Sequence, residues 1–144
     1  MTPSRRPRGA GYSGTPLVEK LGIKPGARLA LVGAPGGFDA TLGALPEGVA
    51  VRQKARGPLD VIVLFSTRRA QLERRFGAAA AALAPAGGLW VAWPKKASRT
   101  PTDLTEDRVR AIGLAHRLVD NKVCAIDQTW SGLRFVIRRV DRLG

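Results

Sequence analysis

The residues of this chain best equipped to hold a charged ligand stand where apolar runs end. Gly33, Gly36 and Gly37 follow LALV, Ser66 and Thr67 follow DVIVLF, and Trp93, Lys95, Lys96 and Ser98 close the stretch GGLWVAWPKKAS. Asp127, Trp130 and Ser131 precede the run LRFVI. Bare amides in a glycine-rich turn let a phosphate approach the backbone closely. Lysine ammoniums act as point charges toward an anion, and a tryptophan offers a flat face to an aromatic group. Together these types make a crevice for an anionic ligand with an aromatic part, provided the fold brings them to one rim. Each also has a plainer role: a tight turn for the glycines, core packing for the tryptophans, helix capping for Ser66 or Thr67, solvation for the lysines.

Other chemistries find less support. The glycine turn lacks G-x-G-x-x-G spacing, and Pro35 removes one amide donor. About 20 residues beyond such a turn, a dinucleotide site places an acid for the ribose hydroxyls; this chain has Arg52, Gln53 and Lys54 there. It contains no nucleophile elbow, Walker loop or metal-ligand spacing. His116, the single histidine, reads as a surface residue, and Cys124, the single cysteine, as a small core residue. The expectation is therefore no metal and no assignable catalytic residue, with any cofactor unknown.

These loops must be positioned by the apolar runs they end. In residues 89–93, Leu89, Val91 and Trp93 fall on one face of an extended chain and Trp90 and Ala92 on the other. Two apolar faces suit a central strand of a parallel sheet covered by helices on both sides. Residues 27–32 and 60–65 read as two further buried strands, and residues 49–51 as a short one. Thr15 as N-cap and Pro16 at the first helical position open a short helix that Gly22 ends. A second short helix fits within residues 38–45. A longer helix spans about residues 68–84, with Leu72, Phe76, Ala79, Ala80 and Leu83 on its inner stripe and Arg68, Arg69, Arg74 and Arg75 mostly off it. Pro85, Gly87 and Gly88 then break the helix. Asp103 and Glu106 stand at capping-box spacing before a helix that ends near residues 113–116. Residues 118–126, a turn over 128–132 and the alternating residues 133–140 make a closing antiparallel hairpin.

The chain has 144 residues, 24 Lys and Arg against 11 Asp and Glu, and a net charge of +13. That length suits one domain, which buries about 70% of its unfolded surface. Residues 1–13, rich in arginine and without acid, read as a flexible basic arm ahead of a single α/β domain over 14–144. A positive field attracts polyanions, so nucleic acid, a phosphorylated small molecule or an acidic protein surface are the partners it suggests. Arg, Ala, Gly and Pro enrichment also follows from a GC-rich genome, which would leave the charge without a role. No stretch approaches the roughly 20 apolar residues that cross a bilayer, and a lone cysteine suits the cytoplasm.

KPGARLALVGAPGG, DVIVLF, LAPAGGLWVAWPK and the terminal hairpin together resemble the Rossmann-like methyltransferases that use S-adenosylmethionine. That resemblance implies a reduced form of their mostly parallel sheet. Its last strand would return antiparallel and carry the turn before Leu133 to the rim of Lys95 and Lys96. The middle of the pattern is shortened between Val32 and Asp60, and the acids of the first strand and of the ribose site are absent. GYSGTPLVEKLGIKPG, WPKKAS, PTDLTED and LVDNKVCAIDQTWSGLRFVIR resemble an uncharacterised bacterial family, the domain of unknown function numbered 3052, over residues 11 to about 139. It implies a small cytoplasmic bacterial protein and brings no activity. The function expected from the sequence is a non-catalytic binding protein for a phosphate-bearing or nucleic-acid ligand. The alternatives are a divergent S-adenosylmethionine-dependent methyltransferase and a regulatory protein that docks on an acidic partner.

Overall fold

The computed structural model describes residues 14–142, and the basic arm expected at residues 1–13 lies outside them. The apolar runs become strands β1 (Arg28–Val32), β2 (Ala50–Arg52), β3 (Leu59–Phe65), β4 (Leu83–Pro94), β5 (Leu118–Ala125) and β6 (Trp130–Ile137). Between them lie α1 (Leu17–Lys20), α2 (Phe38–Leu42), α3 (Arg69–Ala82) and α4 (Glu106–Ala115). The strands form one sheet in the order β2-β1-β3-β4-β6-β5. The first four run parallel, and β6 is antiparallel to both β4 and β5. This is the expected mostly parallel α/β sheet with a closing antiparallel hairpin.

Alternation along each strand divides the core into two layers. Leu29, Val61, Val63, Trp90 and Ala92 pack with Leu21 and with Phe38 and Leu42 of α2. Ala30, Ile62, Leu64, Leu89, Val91 and Trp93 pack on the other side with Leu72 and Phe76 of α3 and Val109 and Ile112 of α4. At Gly113 a Cβ would collide with the Phe135 ring, so α4 lies directly on β6. At the amino ends of the strands, Arg28 grips Asp60 through its backbone amide and two guanidinium nitrogens at 2.8–3.0 Å. The Arg28 hydrogen bonds hold the Asp60 carboxyl below the usual carboxylate range.

A parallel crossover normally takes about a dozen residues or more. Residues 53–58 return from β2 to β3 without a helix. They manage it because β2 is short and pairs only with Arg28, Leu29 and Ala30 of β1, so little height is lost on the way back. Ala55 packs on the α3 layer, and at Gly57 a Cβ would collide with the Ala82 carbonyl. Only glycine allows the link to pass so close under α3.

Several boundaries differ from the sequence expectation, and the closing strand ends at Ile137 rather than at residue 140. Pro16, not Thr15, is the N-cap of α1. β4 begins at Leu83, directly after α3, because Leu83 pairs with Leu59 before a register shift brings Gly88 opposite Val61. The segment expected to be a helix end and a turn is thus extended chain. β6 begins at Trp130 because residues 130–132 pair with residues 92–94 of β4, which a turn-like composition conceals. The caps are exchanged as well: the Asp103 side chain accepts from the Arg69 amide at the start of α3, while Thr105 caps α4 through the Arg108 amide. Neither Ser66 nor Thr67 caps α3 with its side chain.

Candidate functional site

The chain changes faces at the carboxyl ends of β1 and β3. From β1 it passes through residues 33–37 into α2 on one face, and from β3 through Ser66 into α3 on the other. Open α/β sheets bind ligands at such a switch point. Among the described residues two grooves lie along this rim; the glycines expected in one crevice line the first, and Trp93, Lys95, Lys96 and Ser131 the second.

The first groove, of about 560 Å³, is lined by residues 33–39 with Leu31, Val51 and Gln53. Ligand pockets commonly enclose about 300–1,000 Å³. Among the described residues the Gly36 and Gly37 amides donate no hydrogen bond, and a Cβ at either glycine would meet nothing within 4 Å. Their N–H groups are thus free to meet a ligand. Gln53, just past β2, stands where a dinucleotide site places its ribose-holding acid, and it faces the groove together with Asp39 of α2. The sequence reading missed Asp39; its signal was an acid directly behind the glycine turn. Under the groove the Phe38 ring meets Phe65 edge-on at 4.8 Å, and Phe65 meets Trp130 at 5.1 Å.

The second groove, of about 640 Å³, follows the end of β4 and takes in Trp93, Lys95, Lys96, Arg99, Arg108 and Ser131. Asp103 and Glu106 also line it. Both acids are engaged: Asp103 accepts from the Arg69 amide at 2.7 Å, and Glu106 holds Arg110 at 2.6 Å. Lys95, Lys96 and Arg99 have no carboxylate partner among the described residues. The groove is therefore cationic.

Placement of the remaining candidates follows from their hydrogen bonds. The Lys95 amide donates to the Thr129 carbonyl at 2.7 Å, which brings the turn before β6 to the lysines, as the methyltransferase resemblance implied. Trp93 is 6% exposed in the α3 layer, whereas Trp130 packs against the opposite layer, so the two rings do not face one ligand. Ser98 spends its hydroxyl locally, donating to the Lys95 carbonyl and accepting from the Thr100 amide. One Asp127 carboxylate oxygen accepts from the Thr129 and Trp130 amides and shapes the turn. Thr67 is tied by its backbone to Gln71 and Thr102. Ser66 differs: it is 2% exposed and its hydroxyl has no hydrogen-bond partner among the described residues. His116 is exposed beside Phe76, and burial pushes the half-buried Cys124 thiol up, away from reactivity.

Solved structures share this architecture. A SAM dependent methyltransferase from Aquifex aeolicus matches with a TM-score of 0.57 and 14% identity over 85% of this chain and 88% of that one. Ribosomal protein L11 methylase from Lactobacillus delbrueckii subsp. bulgaricus matches at 0.56 and 14% over 85% and 75%. Magnesium protoporphyrin IX methyltransferase from Synechocystis PCC 6803, with bound SAM, matches at 0.56 and 11% over 85% and 74%. No family model and no curated protein sequence matches the chain. The fold is that of the S-adenosylmethionine-dependent methyltransferases. These neighbours overturn the expectation of a non-catalytic binding protein and favour the methyltransferase alternative.

Among the described residues, no helix is long and apolar enough to cross a membrane, and no group of His, Cys, Asp and Glu is arranged to hold a metal ion.

Proposed function

We propose that the chain is an S-adenosylmethionine-dependent methyltransferase with its cofactor groove at residues 33–39. The observation that carries this reading is the groove itself: an open glycine turn with unused amides, at the carboxyl end of the first strand of a methyltransferase-like sheet. The donor set suits the group. Gln53 and Asp39 offer an amide and a carboxylate to ribose hydroxyls, Leu31 and Val51 offer apolar surface to a base, and the Gly36 and Gly37 amides offer donors to polar edges. When bound, the cofactor supplies an electrophilic methyl group on a sulfonium, which leaves to an acceptor nucleophile as S-adenosylhomocysteine forms. Calorimetric titration with S-adenosylhomocysteine is expected to give a dissociation constant in the micromolar range, about −8 kcal/mol. Absence of heat and of a melting shift at millimolar ligand rejects the reading.

The second groove suits the acceptor. Its Lys95, Lys96 and Arg99, without a carboxylate partner among the described residues, favour an acceptor that carries phosphate, in a nucleic acid or a phosphorylated small molecule. Lys95→Ala together with Lys96→Ala is expected to weaken binding of such an acceptor and to flatten its salt dependence, with cofactor affinity unchanged. An unaltered salt slope in a binding titration removes this groove from acceptor recognition. Membership of the uncharacterised bacterial family and a cytoplasmic location belong to the same proposal, supported by the motifs that span residues 11–139.

A further inference from the structure

A further groove lies at the opposite end of the sheet, where β1 and β3 begin, and encloses about 420 Å³. Gly22, Lys24 and Gly26, between α1 and β1, line it together with Asp60 of β3, Ala86 of β4 and Arg134 of β6. From Ala27 in this groove to Gly33 the chain runs the length of β1, about 20 Å at about 3.3 Å per residue. Asp60 is the acid among these lining residues, and Arg28 neutralises it, occupying both carboxylate oxygens through its amide, Nε and Nη2. Lys24 and Arg134 have no carboxylate partner among the described residues.

Arg134 is held in an unusual way for an unpaired cation. Its half-buried guanidinium lies against the backbone of β4 at Gly88, where a Cβ would collide with it and stand 2.7 Å from Nη2. Gly88 thus leaves open the space that the head of this side chain fills. Asn121 Oδ1 accepts from Nη1 at 3.3 Å. A guanidinium has five N–H donors, and this is the one hydrogen bond that the Arg134 side chain donates among the described residues. Burial pushes the group below its ordinary range, and the charge of Arg142 adds to the effect. Both influences oppose a cation here, and an anion in the groove would offset both.

Two uncommitted positive charges in one concavity match a phosphate monoester, which carries about −1.5 to −2 at pH 7. A carboxylate brings a single charge. The guanidinium fork fits phosphate oxygens, and the lysine ammonium adds a point charge. The volume is that of a small-ligand site, and Gly22, Gly26 and Ala86 leave uncharged surface for the rest of such a molecule. We infer that this groove binds the phosphate group of a phosphorylated small molecule, with Lys24 and Arg134 as its two cationic contacts. The site is independent of the methyltransferase reading. A molecule held here lies too far from the glycine turn to receive a methyl group there, so it is bound without being transformed.

Calorimetric titration with inorganic phosphate and with ribose 5-phosphate tests the site, at ionic strength matched with sodium chloride. The full chain carries Lys95→Ala and Lys96→Ala as background, which removes the lysines of the second groove. Both probes are expected to bind, and ribose is expected not to. Lys24→Ala, at an exposed position, is expected to weaken both probes a few-fold. Arg134→Gln is expected to weaken them about ten- to a hundredfold, the size of a hydrogen bond to a charged group. Affinity for S-adenosylhomocysteine is expected to stay the same in both variants. Undiminished phosphate binding in either variant that melts as a folded protein overturns the site, and Lys24→Ala decides alone if Arg134→Gln fails to fold. Absence of heat from either probe at tens of millimolar, or equal weakening of S-adenosylhomocysteine, overturns it as well.

Discussion

Trp90→Ala is expected to cost about 3–5 kcal/mol in urea denaturation, the range for a large aromatic removed from a packed core. Whole domains are stable by only about 5–15 kcal/mol, so the variant would sit near the threshold of folding. Trp90 lies at the middle of β4 with 0% exposure. Its ring fills the α2-side layer next to Gly132, where a Cβ would already approach Cε3 to 3.1 Å, so β6 has no side chain to offer in its place. The indole also makes a polar contact, because Nε1 donates to the Leu21 carbonyl at 3.1 Å and so ties the end of α1 to the sheet across 69 positions of sequence. Truncation therefore opens a cavity and strands a buried carbonyl at once. Trp90→Phe separates the two effects. It keeps most of the ring and loses the donor, with an expected cost of about 1–3 kcal/mol. A loss below that for the alanine variant would mean that α1 and the α2 layer do not depend on this ring.

Much of the fold was legible because burial leaves a period in the sequence. The split of Leu89, Val91 and Trp93 from Trp90 and Ala92 follows from alternation alone, and each set lies in the layer it predicts. What failed were decisions made by partners far away in sequence. Leu83 fits the inner stripe of α3 as well as it fits a strand, and pairing with Leu59 settles the matter in favour of β4. Trp130, Ser131 and Gly132 have a turn's composition, yet they complete the ladder opposite Pro94, Trp93 and Ala92. Asp103 and Glu106 satisfy a local capping rule, but Asp103 serves the Arg69 amide 34 residues earlier. Such links carry no local signature.

The site was half legible for the same reason. Strand ends mark a rim, and the rim is where the glycines, Ser66, Lys95 and the turn before β6 are found. Which groove a rim residue enters depends on strand parity and on where the chain changes faces, so Trp93 and Trp130 part company although they share the rim. The sequence sets Arg75 with the other arginines off the inner stripe of α3 because helical spacing records where a Cα lies. A long side chain reaches elsewhere: its guanidinium returns to the Phe65 carbonyl at the end of β3.

Gly36→Val bears most directly on whether the glycine groove does what its shape suggests. A substitution at Gly33 or Gly37 would mix ligand and backbone effects, since their φ angles are +71° and +83° and a side chain strains both. Gly36 lies outside the left-handed region, and a Cβ there meets nothing within 4 Å. Its replacement is therefore expected to shift stability by less than about 0.5 kcal/mol, as at an unconstrained surface position. The same open space is the ligand's path to the loop amides in the proposed complex. An isopropyl group fills it and sets the backbone back from any bound group, so affinity for S-adenosylhomocysteine is expected to fall at least tenfold, about 1.4 kcal/mol. A variant that melts like the wild type and binds no worse would show that the ligand does not lie on this turn. A variant that melts like the wild type and loses binding would place the nucleoside on Gly36, because nothing else at that position has been disturbed.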